Sequence, residues 1–421
     1  MRATVTVSGS ADGRLITRPF VIVTLTAFVF FIYIGMLIPI VPLFIEGPLD
    51  AGEFGIGLTV AVFALAAVAI RPLIGHIADR YGRRRLIMAG AVLAAAGGAL
   101  SGQADSLWQL LTMRAVTGMG EAAVFVGAAT LIADLSPRAR RAEGASYFSV
   151  AVFGGIGIGP IFGEWVLNES QFERAFLVAG TFALSAAVIA WFAPARVESP
   201  DDEVTTDESV KPSSGWRRFV HPAAIMPGVV LACGVAAFTA FASFIPEYAR
   251  SVGLPSSGGL FALYALISVL VRIFGARLPE QLGPRRTVTI ALGNVMIGLL
   301  VLAAIPTIWA LWIAAAFIGV GFAFNYPSLL ALTVNRASDR DRAWAVSSFT
   351  MFFDVGSAVG GLAIGAFAQV VGKQIGFLGG VLSCIIGLWV LRSKVVPKDA
   401  PDAGPALAHP EPAPYIPVRR R

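Results

Sequence analysis

Cysteine is nearly absent from this chain. Only Cys233 and Cys384 occur in 421 residues, each inside an apolar run, so neither a disulfide framework nor a thiolate metal site is indicated. Histidine is almost as scarce: His76 sits in a loop, His221 at the start of an apolar run and His409 in the tail. None lies at the middle of a run, which argues against histidine as a proton carrier. Charge is thin as well, at 14% of residues, too little polar surface for a soluble protein of this length. No Gly-x-x-x-x-Gly-Lys-Ser/Thr segment occurs, which disfavours an ATP-driven pump. No metal-ligand cluster and no nucleophile–base constellation is visible, so the sequence gives no support to an enzyme or to a bound cofactor.

What is present in excess is apolar sequence. Hydrophobic residues make up 56% of the chain and the mean hydropathy is +0.76. A helix needs about 20 apolar residues to cross a bilayer. Runs close to that length fall at 19–45, 55–74, 86–103, 108–133, 142–165 and 173–193, then at 222–246, 257–279, 287–306, 309–334, 343–368 and 376–392. The first run is too long for a signal peptide and has no cleavage site before the next, so it reads as a retained helix.

The expected organisation is a cytoplasmic N-terminal segment (1–18), a six-helix bundle (19–193), a polar cytoplasmic linker (194–221), a second six-helix bundle (222–392) and a disordered cytoplasmic tail (393–421). Arginines concentrate in alternate loops, at Arg80, Arg83 to Arg85, Arg138 to Arg141, Arg285 and Arg286, and Arg336 to Arg342. The other loops hold only Arg174, Arg250 and Lys373. That bias predicts both termini on the cytoplasmic side of the inner membrane. The net charge of +6 is spread over these short loops rather than over a soluble domain, so nucleic acid is not an expected partner.

The chain also echoes itself at an offset of 201 positions: Arg71 falls on Arg272, Asp79 on Glu280, Gly82 on Gly283, Arg84 on Arg285, Arg141 on Arg342, and Gly155 and Gly159 on Gly356 and Gly360. The expected fold is therefore all-α and integral to the membrane, with twelve transmembrane helices in two pseudo-symmetric six-helix bundles of like orientation and a substrate path between them.

Three motifs narrow the reading. The loop after the second run contains Gly75, Asp79, Arg80, Gly82, Arg83, Arg84 and Arg85. Gly82 permits a tight turn, and Asp79 offers a carboxylate that arginines or a helix N-terminus can engage. This loop resembles the signature of the major facilitator superfamily, with Ile77 where Leu is usual. Glu280, Gly283 and Arg285 fall where that family has a weaker second copy. In the fifth run, Gly155, Gly159, Pro160 and Gly163 resemble the family's antiporter motif, typical of exporters, although Glu164 replaces the glycine usual at its end. In the first run, Gly35, Pro39 and Pro42 are similar to the pattern of the twelve-helix drug–proton antiporters. The resemblance implies alternating access driven by the proton gradient, without a cofactor, in a protein acting as a monomer on a small-molecule substrate.

Ionisable residues inside a membrane span are costly and point to function. Arg114 and Glu121 lie in the fourth run, seven residues apart, and Asp354 lies in the eleventh. A carboxyl desolvated at mid-depth is suited to bind and release protons, so Glu121 reads as proton carrier or contact for a cationic substrate, or else as the static partner of Arg114. The resemblance assigns Arg114 to proton coupling. Asp354 reads as a coupling or substrate group, or as the partner of an arginine on another helix; its repeat equivalent is Phe153. Arg71 and Arg272 set gate geometry or snorkel to the headgroups. Glu46 and Glu247, at equivalent run ends, read as solvated residues of an outer gate. Aromatic residues crowd runs one, seven, eight and ten, among them Phe28, Phe30, Phe31, Tyr33, Phe241, Phe244 and Tyr326, and suit a hydrophobic or planar substrate. The reading that follows is proton-coupled export of small hydrophobic molecules. Proton-coupled nutrient import and a non-transporting sensor on the same scaffold are the alternatives.

Overall fold

The computed structural model describes residues 15–137, 140–167, 171–194, 220–275, 278–337 and 342–395. Among the described residues there is no strand. Within those residues twelve α-helices follow one another: α1 (Arg18–Glu46), α2 (Gly52–Tyr81), α3 (Arg83–Leu100), α4 (Leu107–Leu135), α5 (Arg141–Val166) and α6 (Phe172–Trp191), then α7 (Pro222–Ser251), α8 (Gly258–Phe274), α9 (Leu278–Ala304), α10 (Ile308–Arg336), α11 (Arg342–Val371) and α12 (Lys373–Val390). Eleven are long and apolar enough to cross a membrane, and α8 is apolar but shorter, at 17 residues. The linker from 195 to 219 and the tail beyond 395 lie outside the described residues.

Local chemistry sets the helix ends. Thr17 caps α1, accepting from the Phe20 N–H at 3.4 Å, with Pro19 in the first turn, where its missing N–H costs nothing. Ser106 caps α4 in the same way through the Gln109 N–H. The turn between α2 and α3 passes through Gly82 at φ 87°, and its repeat equivalent Gly283 breaks the start of α9 at φ 76°. A side chain is strained in that left-handed region, so the repeat extends to backbone conformation.

Helix packing follows the same symmetry. The α1–α5, α3–α4, α2–α4 and α3–α6 pairs are matched by α7–α11, α9–α10, α8–α10 and α9–α12. In the α1–α5 seam a Cβ on Gly155 would lie 2.6 Å from the Phe28 carbonyl oxygen, and one on Gly159 would lie 2.5 Å from Gly35 Cα. Their equivalents Gly356 and Gly360 meet Ala232 and Ala236 of α7 at 2.6 Å. Small residues let helix backbones approach in a solvent as apolar as their own side chains. The halves meet chiefly along α2–α11 and α5–α8, themselves a symmetric pair.

The outer surface is apolar. Exposed Trp108, Trp165 and Trp309 lie near one end of the bundle and Trp191, Phe274 and Trp389 near the other, as aromatic residues do at the two interfaces of a membrane.

Candidate functional site

Between the halves lies a cavity of about 430 Å³ lined by residues of α1, α2, α4, α5, α7, α10 and α11. It runs from Pro42 and Ile56, near the end of the bundle that carries Lys373, to Ala145 and Val346 in the first turns of α5 and α11 at the opposite end. Its wall is mostly apolar and rich in aromatic rings: Phe31, Phe63, Phe125, Phe148, Phe153, Phe238, Tyr326 and Phe353. Four charged side chains reach it, Arg71, Arg114, Glu121 and Asp354.

These four divide into a pair and two singles. Arg71 of α2 and Asp354 of α11 form an ion pair across the halves at 2.5 Å, with 14% and 12% of their side-chain surfaces exposed. Asp354 thus has its partner on another helix, and Arg71 is turned inward rather than toward the headgroups. The repeat makes the equivalent contact with different chemistry. Arg272 of α8 crosses to Phe153 of α5, its guanidinium 4.1 Å from the ring centroid. Arg71 with Asp354 and Arg272 with Phe153 occupy matched positions, so one of the two half-interfaces holds an ionisable lock and the other a cation–π contact.

The alternative reading of Glu121, a static pair with Arg114, finds no ion pair among the described residues. Seven residues along α4 separate them by about 10 Å of helix rise, too far for direct contact. Arg114 lies over the Phe63 ring at 4.6 Å, and its buried Nε and Nη1 have no hydrogen-bond partner. The buried Oε2 of Glu121 has none either.

At the Lys373 end the halves are tied together. Lys373, at the start of α12, forms ion pairs with Glu46 of α1 and Glu247 of α7 and lies 3.8 Å from Glu53 of α2. Glu46 and Glu247 are therefore not solvated gate residues as expected: they keep only 31% and 20% of their side-chain surfaces exposed and share one ammonium. The Phe54 N–H donates to Gln369 Oε1 at 3.1 Å, and Gly361 and Gly365 of α11 pack against the backbone of Gly57. On the α5–α8 side Glu164 accepts from the Ser257 N–H at 2.8 Å and the Gly258 N–H at 2.9 Å, and from the hydroxyls of Ser256 and Ser257. The residue that departs from the antiporter-like motif is thus a carboxylate cap on a helix of the other half.

At the opposite end, Arg83 pairs with Asp134 of α4. Arg84 donates from Nη1 to the Trp191 and Ala193 carbonyls at 3.4 Å and stacks over Trp191 at 5.9 Å, while Arg80 lies over Tyr81 and Arg285 is half-buried. Gly75 falls within α2; the side chains of Asp79 and Glu280 lie outside the described residues. In the antiporter-like segment, Gly155, Gly159 and Gly163 face α1 within their own half, and Pro160 lies inside a continuous α5.

The aromatic expectation is redistributed. Phe31 and Tyr326 reach the cavity, whereas Phe30, Tyr33, Phe241 and Phe244 are buried between helices. Phe63, Phe125, Phe148, Phe238 and Phe353 line it without any expectation from the sequence. The one usable signal was at Phe125, which lies one turn beyond Glu121 on the same face.

Comparison with known proteins matches a model described as Major Facilitator Superfamily to residues 23–343 and 260–421. The quinolone resistance protein NorA of Staphylococcus aureus (strain MRSA252) is 25% identical over 360 residues, covering 82% of this chain and 88% of NorA. An uncharacterized MFS-type transporter of Burkholderia mallei (strain SAVP1) is 26% identical over 377 residues, covering 87% of this chain and 90% of its own. Among solved structures, the D323A mutant of the nucleoside transporter NupG superimposes with a TM-score of 0.71 at 13% identity, over 89% of this chain and 99% of NupG.

Proposed function

The chain belongs to the Major Facilitator Superfamily, and we propose that it exports small hydrophobic, drug-like molecules across the inner membrane in exchange for protons. It is a multi-pass membrane transporter, not an enzyme. In this reading both termini face the cytoplasm, the Lys373 end faces outward, and one copy suffices, driven by the proton gradient without a cofactor.

The observation that carries the reading is the cavity itself: an aromatic-walled space shared by both halves, into which Glu121 projects with no partner beside the Arg71–Asp354 pair. An unpaired carboxylate in a low-dielectric space is satisfied by a proton or by a cationic group. Competition between the two for Glu121 produces exchange, because whichever arrives displaces the other. The Arg71–Asp354 pair joins α2 to α11, so protonation of Asp354 weakens a contact between halves and favours their rearrangement. The end of α2 that carries Asp79, with the Gly82 turn into α3, contributes to closure on the cytoplasmic side. Similarity to a protein named for quinolone resistance supports a drug-like substrate and an outward direction.

The test uses inside-out vesicles energised with an acid interior and a panel of aromatic compounds of positive, negative, mixed and zero charge. Compounds that are substrates will collapse the acid-inside gradient, and Glu121→Gln in a correctly inserted protein will abolish the response. Accumulation of compounds that ignores the proton gradient would overturn the exchange reading; response only in right-side-out vesicles would replace export with import.

A further inference from the structure

We infer that the membrane-facing side of α3 holds one anionic phospholipid, a phosphatidylglycerol, with its phosphate on Arg85 and one acyl chain laid along the helix toward the bilayer centre. The inference needs only that the bundle is embedded in a bilayer. It is independent of what is transported and in which direction.

A shallow hollow on the outer surface is lined by Arg85, Met88, Ala89, Val92, Leu93 and Ala96, all on α3. They recur every three to four positions and so share one helix face. Ala89 and Ala96 set that face back on either side of Val92 and Leu93, and all four are exposed. From Arg85 to Ala96 the helix rises about 16 Å, close to half of a hydrocarbon core of about 30 Å. The hollow therefore has the length of one leaflet. Trp191, exposed and lying against the neighbouring Arg84 guanidinium, marks the interface level at the Arg85 end, where an aromatic ring with a polar edge belongs.

Charge selects the headgroup. α3 opens on three consecutive arginines, and two of them are committed within the protein: Arg83 pairs with Asp134, and Arg84 donates to the Trp191 and Ala193 carbonyls. Arg85 stands exposed at the mouth of the hollow and, among the described residues, makes no hydrogen bond or ion pair. A guanidinium matches a phosphodiester in geometry and charge. No acidic side chain lines the hollow, so the amine of a zwitterionic headgroup finds no partner there, and a lipid whose only charge is the phosphate is preferred. The second copy of the repeat separates the two requirements. Arg286 takes the place of Arg85, but Ile290 and Ile297 replace Ala89 and Ala96, and Asn294 replaces Leu93. Both isoleucines are exposed, so bulk stands on α9 where α3 is set back. A basic residue at headgroup level occurs twice, a track for the chain below it once.

The experiment places the purified full chain in phosphatidylcholine nanodiscs that carry a small fraction of a photoreactive lipid, either phosphatidylglycerol or phosphatidylcholine with a diazirine in the same acyl chain. After irradiation the adducts are mapped by peptide mass spectrometry. Adducts on residues 85–96 are expected to be about fivefold more abundant with phosphatidylglycerol, as one basic residue at an anionic headgroup implies. Arg85→Gln removes that preference and Arg286→Gln leaves it intact. Ala89→Ile combined with Ala96→Ile, which copies α9, lowers labelling of α3 to that of α9. The wild-type comparison of the two lipids stands alone if a variant fails to fold. Equal labelling by both lipids, a preference that survives Arg85→Gln, or labelling of α9 as strong as that of α3 overturns the inference. Absence of lipid adducts on α3 together with chemical cross-links between the α3 segments of two copies would assign this face to a dimer and overturn it as well.

Discussion

Replacing Glu164 by Ala removes a contact that exists only while the halves are closed at the Lys373 end. The carboxylate of α5 accepts two backbone N–H groups in the first turn of α8, from Ser257 at 2.8 Å and Gly258 at 2.9 Å, and two serine hydroxyls. Helix N-terminal N–H groups have no partner within their own helix, and loss of a capping side chain costs about 0.5–2 kcal/mol. A carboxylate at a helix N-terminus contributes a further 0.3–1 kcal/mol or so through the helix dipole. Glu164 is half-exposed, which places the combined effect at about 1–2 kcal/mol, or roughly a 5–30-fold change in a two-state ratio. Because the cap and the capped helix belong to different halves, that change falls on the closed–open equilibrium rather than on the stability of either bundle. Spin labels at the exposed positions Asp105 and Thr307, in a chain whose two cysteines have been replaced, report the distance between the halves at this end. Glu164→Ala will move population toward the longer distance, and Glu164→Gln, which keeps one acceptor, will move it less. An unchanged distribution in a Glu164→Ala protein with native thermal stability would refute the argument.

Two further perturbations act on the other ties. Lys373→Ala leaves Glu46, Glu53 and Glu247 facing one another without their shared cation; the same label pair should report a shift of population toward the longer distance. Asp354→Asn strands Arg71 in the cavity and should lower stability by up to about 3 kcal/mol, whereas Arg71→Gln combined with Asp354→Asn should recover much of that loss, as read by thermal unfolding in a double-mutant cycle.

Helix number and pairing were legible in the sequence because they depend on features with long reach. Apolar run length marks each span, and the 201-position echo correctly tied Gly82 to Gly283 and the Gly155 and Gly159 seam to Gly356 and Gly360. Two uses of charge were legible only as alternatives. Hydropathy alone leaves open whether Arg71 turns toward the headgroups or toward α11, and for Glu121 it favours a proton or cation site while leaving a pair with Arg114 as the alternative. Lys373 and Glu164 were harder still, since Glu46, Glu53 and the α8 N-terminus that they meet lie in the opposite half of the chain and the meeting point depends on how the halves close. The aromatic wall was misjudged for a related reason. In a membrane the lipid-facing surface is as apolar as the interior, so composition did not separate Phe31, which reaches the cavity, from Phe30, which packs between helices.

The central claim is that substrate and proton compete for Glu121. It is tested most directly by calorimetric titration of a bound compound at neutral pH in buffers of different ionisation enthalpy, which counts the protons exchanged on binding. The account predicts net proton release by the wild-type protein and none by Glu121→Gln. Net proton uptake on binding, or no exchange at all in the wild type, would contradict it.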